Sequence, residues 1–351
     1  MDICTAPIPT SLKYANLMTL QFTVRQEQTL KMPSHTGSML RGAFGVALRS
    51  LTCITDLPEC KHCPLKQHCK FPLIFENPAL NPSSVQAVNP YIIHVPMPKQ
   101  SPATSTLYNN RTTSKRVSNI YNSGDIWHFG MTLMGSATVE QTLIIKAWQL
   151  ALQTGLGAHT PYQRATLLSV SNDDKTVYSS ADHTQPTEAP ILKEPQDLSN
   201  LLAIIEDTDA LTLRFLTPFR YQQDNRIVSQ PNKLDSATFI ASLYNRIRLC
   251  QQNHSSDQSW NIGYDSYHMF KKDIESLDIE IDIIANHVPR RSNRQQRKME
   301  LYGLQGDIHL TGKPQTLKRL MPALLLGEYL HIGKNTTMGL GQYQLMVNPQ
   351  V

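Results

Sequence analysis

Arg290-Arg291-Ser292-Asn293-Arg294-Gln295-Gln296-Arg297-Lys298 decides how the last third of this chain is read, because of what stands on either side. Before it, Ile279, Ile281 and Ile283 alternate with Glu280 and Asp282, the period-two pattern of a half-buried strand. After it, residues 306–312 read as a partner strand, so the basic segment is expected in the loop joining the two. Residues 314–330 form a helix, with Leu317, Leu320, Leu324 and Leu325 at helical spacing and a kink expected at Pro322. His331-Ile332-Gly333-Lys334-Asn335-Thr336-Thr337-Met338-Gly339-Leu340-Gly341 then leads to a last strand at 341–347. Upstream, 211–219 reads as a strand and 237–250 as a helix with Phe239, Ile240, Leu243 and Ile247 turned inward. The order strand–helix–strand–strand–helix–strand is the ferredoxin-like βαββαβ unit.

The same order is legible in the first half. Leu20, Phe22 and Val24 alternate within a strand over 17–31, and a helix over 38–51 places Leu40, Phe44, Ala47, Leu48 and Leu51 on one face. Arg41, Gly42 and Gly45 interrupt that helix with a charge and two helix-weakening residues, which suits close packing or a ligand's approach. A short strand at 91–95, a strand at 126–134, a helix over 139–153 stopped by Gly155 and a strand at 165–170 complete the unit. The expected fold is therefore α+β, two tandem ferredoxin-like domains. They are expected at 1–171, with a cysteine insertion at 53–70, and at 208–351, joined by a polar, proline-bearing linker at 172–207.

Composition agrees with a polyanion partner. The net charge of +5 and pI near 8.8 are basic without the excess of a histone-like tail. The segment from Arg290 carries five positive charges in nine residues and no acid, with hydroxyl and amide groups between them that bond phosphates and base edges. Glycines 333, 339 and 341 bracket Lys334 in a loop whose backbone N–H groups could approach a polyanion. Each feature alone is also what a solvated loop or an ordinary turn provides. A mononucleotide site is disfavoured, because Gly333-Lys334 follows a helix and is continued by Asn335. Together the two segments point to RNA or DNA. Met1-Asp2-Ile3-Cys4 opens no signal peptide, and no apolar run approaches the ~18 residues of a membrane span, so a soluble cytoplasmic protein is expected.

Four of the six cysteines cluster at Cys53, Cys60, Cys63 and Cys69. A disulfide framework is improbable in a reducing cytosol. Four thiolates within seventeen residues can close around one structural zinc; unmetallated thiols and an iron–sulfur cluster are the alternatives, and His62 or His68 could replace a thiolate.

With these residues in place, the chain resembles the CRISPR-associated endoribonucleases of the RAMP superfamily that process precursor CRISPR RNA. The resemblance covers most of the length. It is carried by Pro289–Gln295, Gly303-Leu304-Gln305-Gly306 and the glycine loop in the second half, and by Leu40-Arg41-Gly42-Ala43-Phe44-Gly45, the cysteine insertion and Leu216-Thr217-Pro218-Phe219-Arg220 of a branch usually found with type III systems. It implies two ferredoxin-like domains holding repeat RNA, with Arg41, Arg290, Arg291, Arg294, Arg297, Lys298, Gly333, Gly339 and Gly341 as RNA-binding candidates. It also implies metal-independent cleavage by the RNA's own 2′-OH, leaving a 2′,3′-cyclic phosphate and a 5′-OH.

That reaction needs a base, an acid and a cation at the phosphate, and histidine suits proton transfer near neutral pH. Many members of this branch carry a histidine after Phe-Gly, where this chain has Val46. His331 and His35 are the remaining candidates, with Lys334 as the electrostatic stabiliser. Two other readings share the fold: a non-catalytic RNA-binding RAMP subunit of a CRISPR effector complex, and the processing domain of a reverse transcriptase–integrase fusion.

Overall fold

The computed structural model describes residues 9, 11–12, 16–33, 35–76, 87–96, 120–157, 161–173, 175–181, 193, 196–205, 209–255, 260–292 and 297–348, with the backbone alone for 287–292, 297–301 and 348. The first unit runs β1 (Leu17–Gln26), α1 (Gly37–Thr52), β2 (Tyr91–His94), β3 (Ile126–Met134), α2 (Gln141–Thr154), β4 (Ala165–Asn172) and β5 (Lys175–Ser179). Its sheet is antiparallel in the order β2-β3-β1-β4-β5. The alternation that defines β1 and β3 buries Phe22 and Phe129, which stack with centroids 4.6 Å apart, and Trp148 of α2 meets Phe129 edge-on at 4.6 Å. Each such buried aromatic contributes on the order of 1.5–3 kcal/mol through apolar burial.

The second unit runs β6 (Ala210–Phe215), α3 (Ser236–His254), α4 (Tyr267–Glu275), β7 (Asp278–Ser292), β8 (Arg297–Thr311), α5 (Pro314–Leu330) and β9 (Tyr343–Asn348). Its sheet order is β7-β8-β6-β9, again antiparallel. Both sheets thus place their first and third strands in the middle, as the ferredoxin-like reading requires. Asp235 caps α3 by accepting from Thr238 N at 3.0 Å. Pro322 lies buried inside α5. Among the described residues no helix is long and apolar enough to cross a membrane.

Three expectations are corrected. Residues 172–207 are not simply a linker: β5 extends the first sheet, Gln196–Asp197 pairs with Ser11–Leu12, and Ser199–Ile204 is a short helix. The two units also do not keep separate cores, because Leu12, Leu17, Ile92, Met134, Leu198 and Ile205 pack into the cluster formed by the second. Thirdly, the basic segment is not a loop. β7 and β8, each of 15 residues, stay paired from Asp278↔Thr311 to Ser292↔Arg297. Arg290, Arg291, Arg297 and Lys298 therefore lie on the strands of a long hairpin, and Arg294 lies outside the described residues.

Candidate nucleic-acid interface

β6 pairs with β8 only between Asp307 and Thr311, so the hairpin beyond Gly306 leaves its sheet. One bridge, Phe219↔Leu304, holds its base. From Asn286↔Gly303 to Ser292↔Arg297 the two strands pair only with each other, a projecting arm roughly 20 Å long at ~3.3 Å per residue. Its register sets Arg291 across from Lys298 and Ser292 across from Arg297. Like charges at opposed positions are unfavourable by themselves, and a polyanion relieves them.

At the foot of the arm the second cationic group is assembled. Arg220 Nε donates to Tyr302 O at 3.0 Å, its Nη1 donates to Asn335 Oδ1, and Lys334 N donates to Arg220 O at 2.8 Å. Lys334 is the exposed residue of the glycine loop. Lys334 and the arm therefore belong to one side of the second unit, and the chain offers a cationic track from Lys334 and Arg220 to the arm's end.

The rest of the glycine loop faces inward. Gly339 and Gly341 are buried at positive φ, 76° and 73°, which a side chain rarely adopts. A Cβ on Gly341 would fall 1.9 Å from Ile332 O, and one on Gly339 would fall 2.7 Å from Ile93 O of the first unit. Gly37, the first residue of α1, meets the same loop, since its Cβ would sit 1.7 Å from Met338 O. Gly333 is half-buried against Arg220 O. These glycines let the loop's backbone seat against the first unit. Packing, not approach to a phosphate, is the reason for Gly339 and Gly341. Thr217 Oγ1 locks the seat by donating to Gly339 O at 2.7 Å and accepting from Gln342 N at 2.9 Å, and Arg246 Nη2 donates to Thr336 Oγ1 at 2.9 Å.

The two candidate histidines lie beneath this seat. His331 is fully enclosed, at φ 53°, with its ring 4.8 Å from that of His94. Neither of its ring nitrogens has a hydrogen-bond partner. Burial holds its pKa well below the usual imidazole value; His94 and Arg246 add to this, and the nearby Leu340 backbone opposes it. His35 is also buried, and desolvation pulls it to about 4 against a smaller opposing pull from the Met338 backbone. Both rings are therefore neutral and shut away from any RNA on the surface, which corrects the expectation of a histidine poised beside Lys334. His94, which the sequence reading passed over, belongs to the same cluster; its Nε2 bonds Thr132 Oγ1 at 2.7 Å, and burial lowers it to about 4.

Arg41 is half-buried on α1 with its guanidinium 4.2 Å from the Phe75 ring centroid. It also lies against Tyr91, whose hydroxyl is pushed up to about 12 by burial while Arg41 pulls the other way. It is held within the first unit, away from the arm. Val46, on the same helix, is 69% exposed.

Cys53, Cys60, Cys63 and Cys69 line one cavity of about 320 Å³. Thr55 Oγ1 stands between Cys63 Sγ at 3.6 Å and Cys53 Sγ at 3.9 Å, and Cys69 Sγ faces Thr52 O at 3.9 Å. The donor set suits zinc by its chemistry. As placed, however, no three His, Cys, Asp or Glu residues among those described are grouped to hold a metal ion. The arrangement does not form the tetrahedral site expected from the spacing.

Two ferredoxin-like units, a glycine-rich loop after the last helix and a projecting basic arm define a tandem RAMP-type protein. Residues 12–190 match the N-terminal domain family AF_1859_N, and residues 213–343 match the CRISPR-associated endoribonuclease Cas6 family. The chain belongs to these CRISPR-associated, RAMP-type Cas6 endoribonucleases. Among solved structures, a Cas6 product complex is similar at 13% identity over 94% of this chain and 100% of that one, with a TM-score of 0.50. Thermus thermophilus Cas6 is 14% identical over 96% and 100%, with a TM-score of 0.47. A partial Cas6-RT-Cas1–Cas2 complex is 14% identical over 95% of this chain and 46% of that one, at 0.49. At these identities the first of them speaks to the fold alone. No curated protein sequence matches the chain.

Proposed function

We propose that this protein binds CRISPR repeat RNA along the arm and the Lys334 corner and cuts precursor CRISPR RNA within each repeat. The observation that carries the reading is the Cas6 match over 213–343, since that segment contains both the arm and the glycine loop. Cleavage proceeds by attack of the RNA's own 2′-OH without a metal ion, leaving a 2′,3′-cyclic phosphate and a 5′-OH. Lys334 and Arg220 supply positive charge beside the scissile phosphate. His35 and His331 are neutral and so in the protonation state of a base, but they reach the RNA only if the glycine loop lifts from the first unit. Repeat RNA incubated with the protein in EDTA tests this: a discrete cut ending in a cyclic phosphate, lost with a 2′-deoxy nucleotide at the cut, is the expected result.

A second reading, RNA binding without cleavage as a subunit of an effector complex, is favoured by one observation. The α1 position where the branch carries histidine is Val46, exposed and apolar. Intact repeat RNA, bound tightly in the same assay, would establish it. Association with a reverse transcriptase–integrase adaptation protein is a third expectation, tested by co-purification of the two.

A further inference from the structure

The outer face of the first sheet carries a cavity that neither the arm nor the glycine loop uses. It holds about 430 Å³ and is lined by Gln21 of β1, His94 at the end of β2, His128 and Gly130 of β3, Tyr121, and Gln342 from the second unit, among others. None of its lining residues is a lysine, arginine, aspartate or glutamate, and His94 is held neutral by burial. A neutral cavity in a basic protein is a poor seat for a phosphate. It suits an uncharged planar group with donors and acceptors on its edge.

The polar groups are arranged for that. Gln342 is fixed through its backbone, with its N–H on Thr217 Oγ1 and its carbonyl accepting from Leu216 N at 2.9 Å, while its side-chain Oε1 has no partner. A buried amide oxygen without a donor is costly, about 1–3 kcal/mol. Opposite it, the Gln21 amide lies over Gly130, where a Cβ would come within 3.1 Å of either Gln21 terminal atom. His128 closes the side, its Nδ1 held by Thr23 Oγ1 at 3.2 Å. Gly130 keeps the floor open.

We propose that this cavity takes one unstacked nucleobase of the bound RNA, an adenine. An amide side chain pairs with adenine at N6 and N7, the amino group filling the vacant acceptor. Uracil would set its O4 against Gln342 Oε1. Single-stranded RNA is recognised through such splayed-out bases. The proposal rests on the RNA-processing reading and adds a specificity-determining site to it, with Gln342 linking that site to the seat of the glycine loop.

The test is a scan in which each nucleotide of the repeat RNA is replaced in turn and binding is measured for wild type, Gln21→Ala and Gln342→Ala. Gln21 is exposed, so its variant keeps the fold even if Gln342→Ala does not. Wild type should show one position at which adenine-to-uracil weakens binding about 10-fold or more. Each variant should erase that preference and leave the salt dependence and the other positions unchanged. If wild type binds and cuts while both variants discriminate as before at every position, the pocket assignment is overturned and the processing reading stands. If wild type binds no repeat RNA, both fall.

Discussion

Replacing Thr217 by valine isolates the seat of the glycine loop from every other contact. Thr217 is 3% exposed, and its hydroxyl makes two bonds, donating to Gly339 O at 2.7 Å and accepting from Gln342 N at 2.9 Å. Valine keeps the shape, so no cavity opens, but two buried backbone groups lose their partner. Each unsatisfied group costs about 1–3 kcal/mol, and because they share one hydroxyl the sum should be about 2–4 kcal/mol. For a cooperative unit of this size a kilocalorie per mole corresponds to roughly 3 °C, so Tm should fall by about 6–12 °C. Thr217→Ser restores the hydroxyl and should recover most of the loss. Thermal unfolding followed by circular dichroism measures it. A Thr217→Val protein that melts within 2 °C or so of wild type would refute the claim that this bond pair seats the loop.

Other outcomes follow from the same geometry. Replacing any two of Arg290, Arg291, Arg294 and Arg297 by alanine should flatten the log–log salt dependence of RNA binding by about 0.7 per lost phosphate contact, and an unchanged slope would mark the arm as merely solvated. Acid should destabilise the fold. His35, His94 and His254 have folded pKa values pulled to about 4, below the usual 6.5, so their stabilisation is present above about 6.5 and lost as pH falls through 4. Glu328 works in the opposite sense: burial raises it to about 7, so it costs stability as pH rises through neutrality, and Glu328→Gln should raise Tm at pH 8 but not at pH 4. Cys53, whose pKa is lowered chiefly by the Thr55 backbone, should be alkylated before Cys60, whose pKa burial raises, in metal-free protein. About one equivalent of zinc should protect all four thiols together, and independent rates with zinc present would mean that the cluster is not a zinc site. Val46→His places an imidazole on the exposed face of α1 at little cost to the fold; single-turnover cleavage should rise by about 10²-fold, and an unchanged rate would put proton transfer elsewhere.

Much of the fold was legible because its strands and helices carry period-two and helical patterns with clear stops. Ile126–Met134 and Pro314–Leu330 are found as read, and Gly155 ends α2 at φ 106°. The errors share a cause. α4 was missed although Ser266 caps it and Phe270 and Ile274 sit one turn apart, because its other residues are polar and tyrosine-rich. β5 was lost inside a polar stretch in which Val177 is the one fully buried apolar residue. The arm was read as a loop because its paired residues are charged. Neither strand has a core to alternate against, and only the cross-strand register makes them strands.

The site was legible as chemistry and misread as placement. Basic residues and a lysine-bearing glycine loop announce a polyanion, and Arg220 and Lys334 do stand together at the arm's foot. What sequence could not supply was which side of the glycine loop faces out. Three glycine contacts decide it, since Gly37, Gly339 and Gly341 tolerate backbone atoms where a side chain would collide. Those contacts bring Ile93 and Met338, from opposite halves of the chain, to the same seat and close it over His331. Enclosure then sets the histidines' chemistry, because burial that keeps an imidazole neutral also keeps it from the RNA. A loop that lifts would release both constraints at once, restoring access and moving the pKa back toward the range in which one imidazole can take a proton and return it. In the closed seat, cationic stabilisation by Lys334 and Arg220 is in place before proton transfer is possible. The cut therefore depends on the same Thr217 and Gly339 contacts that hold the two halves of the chain together.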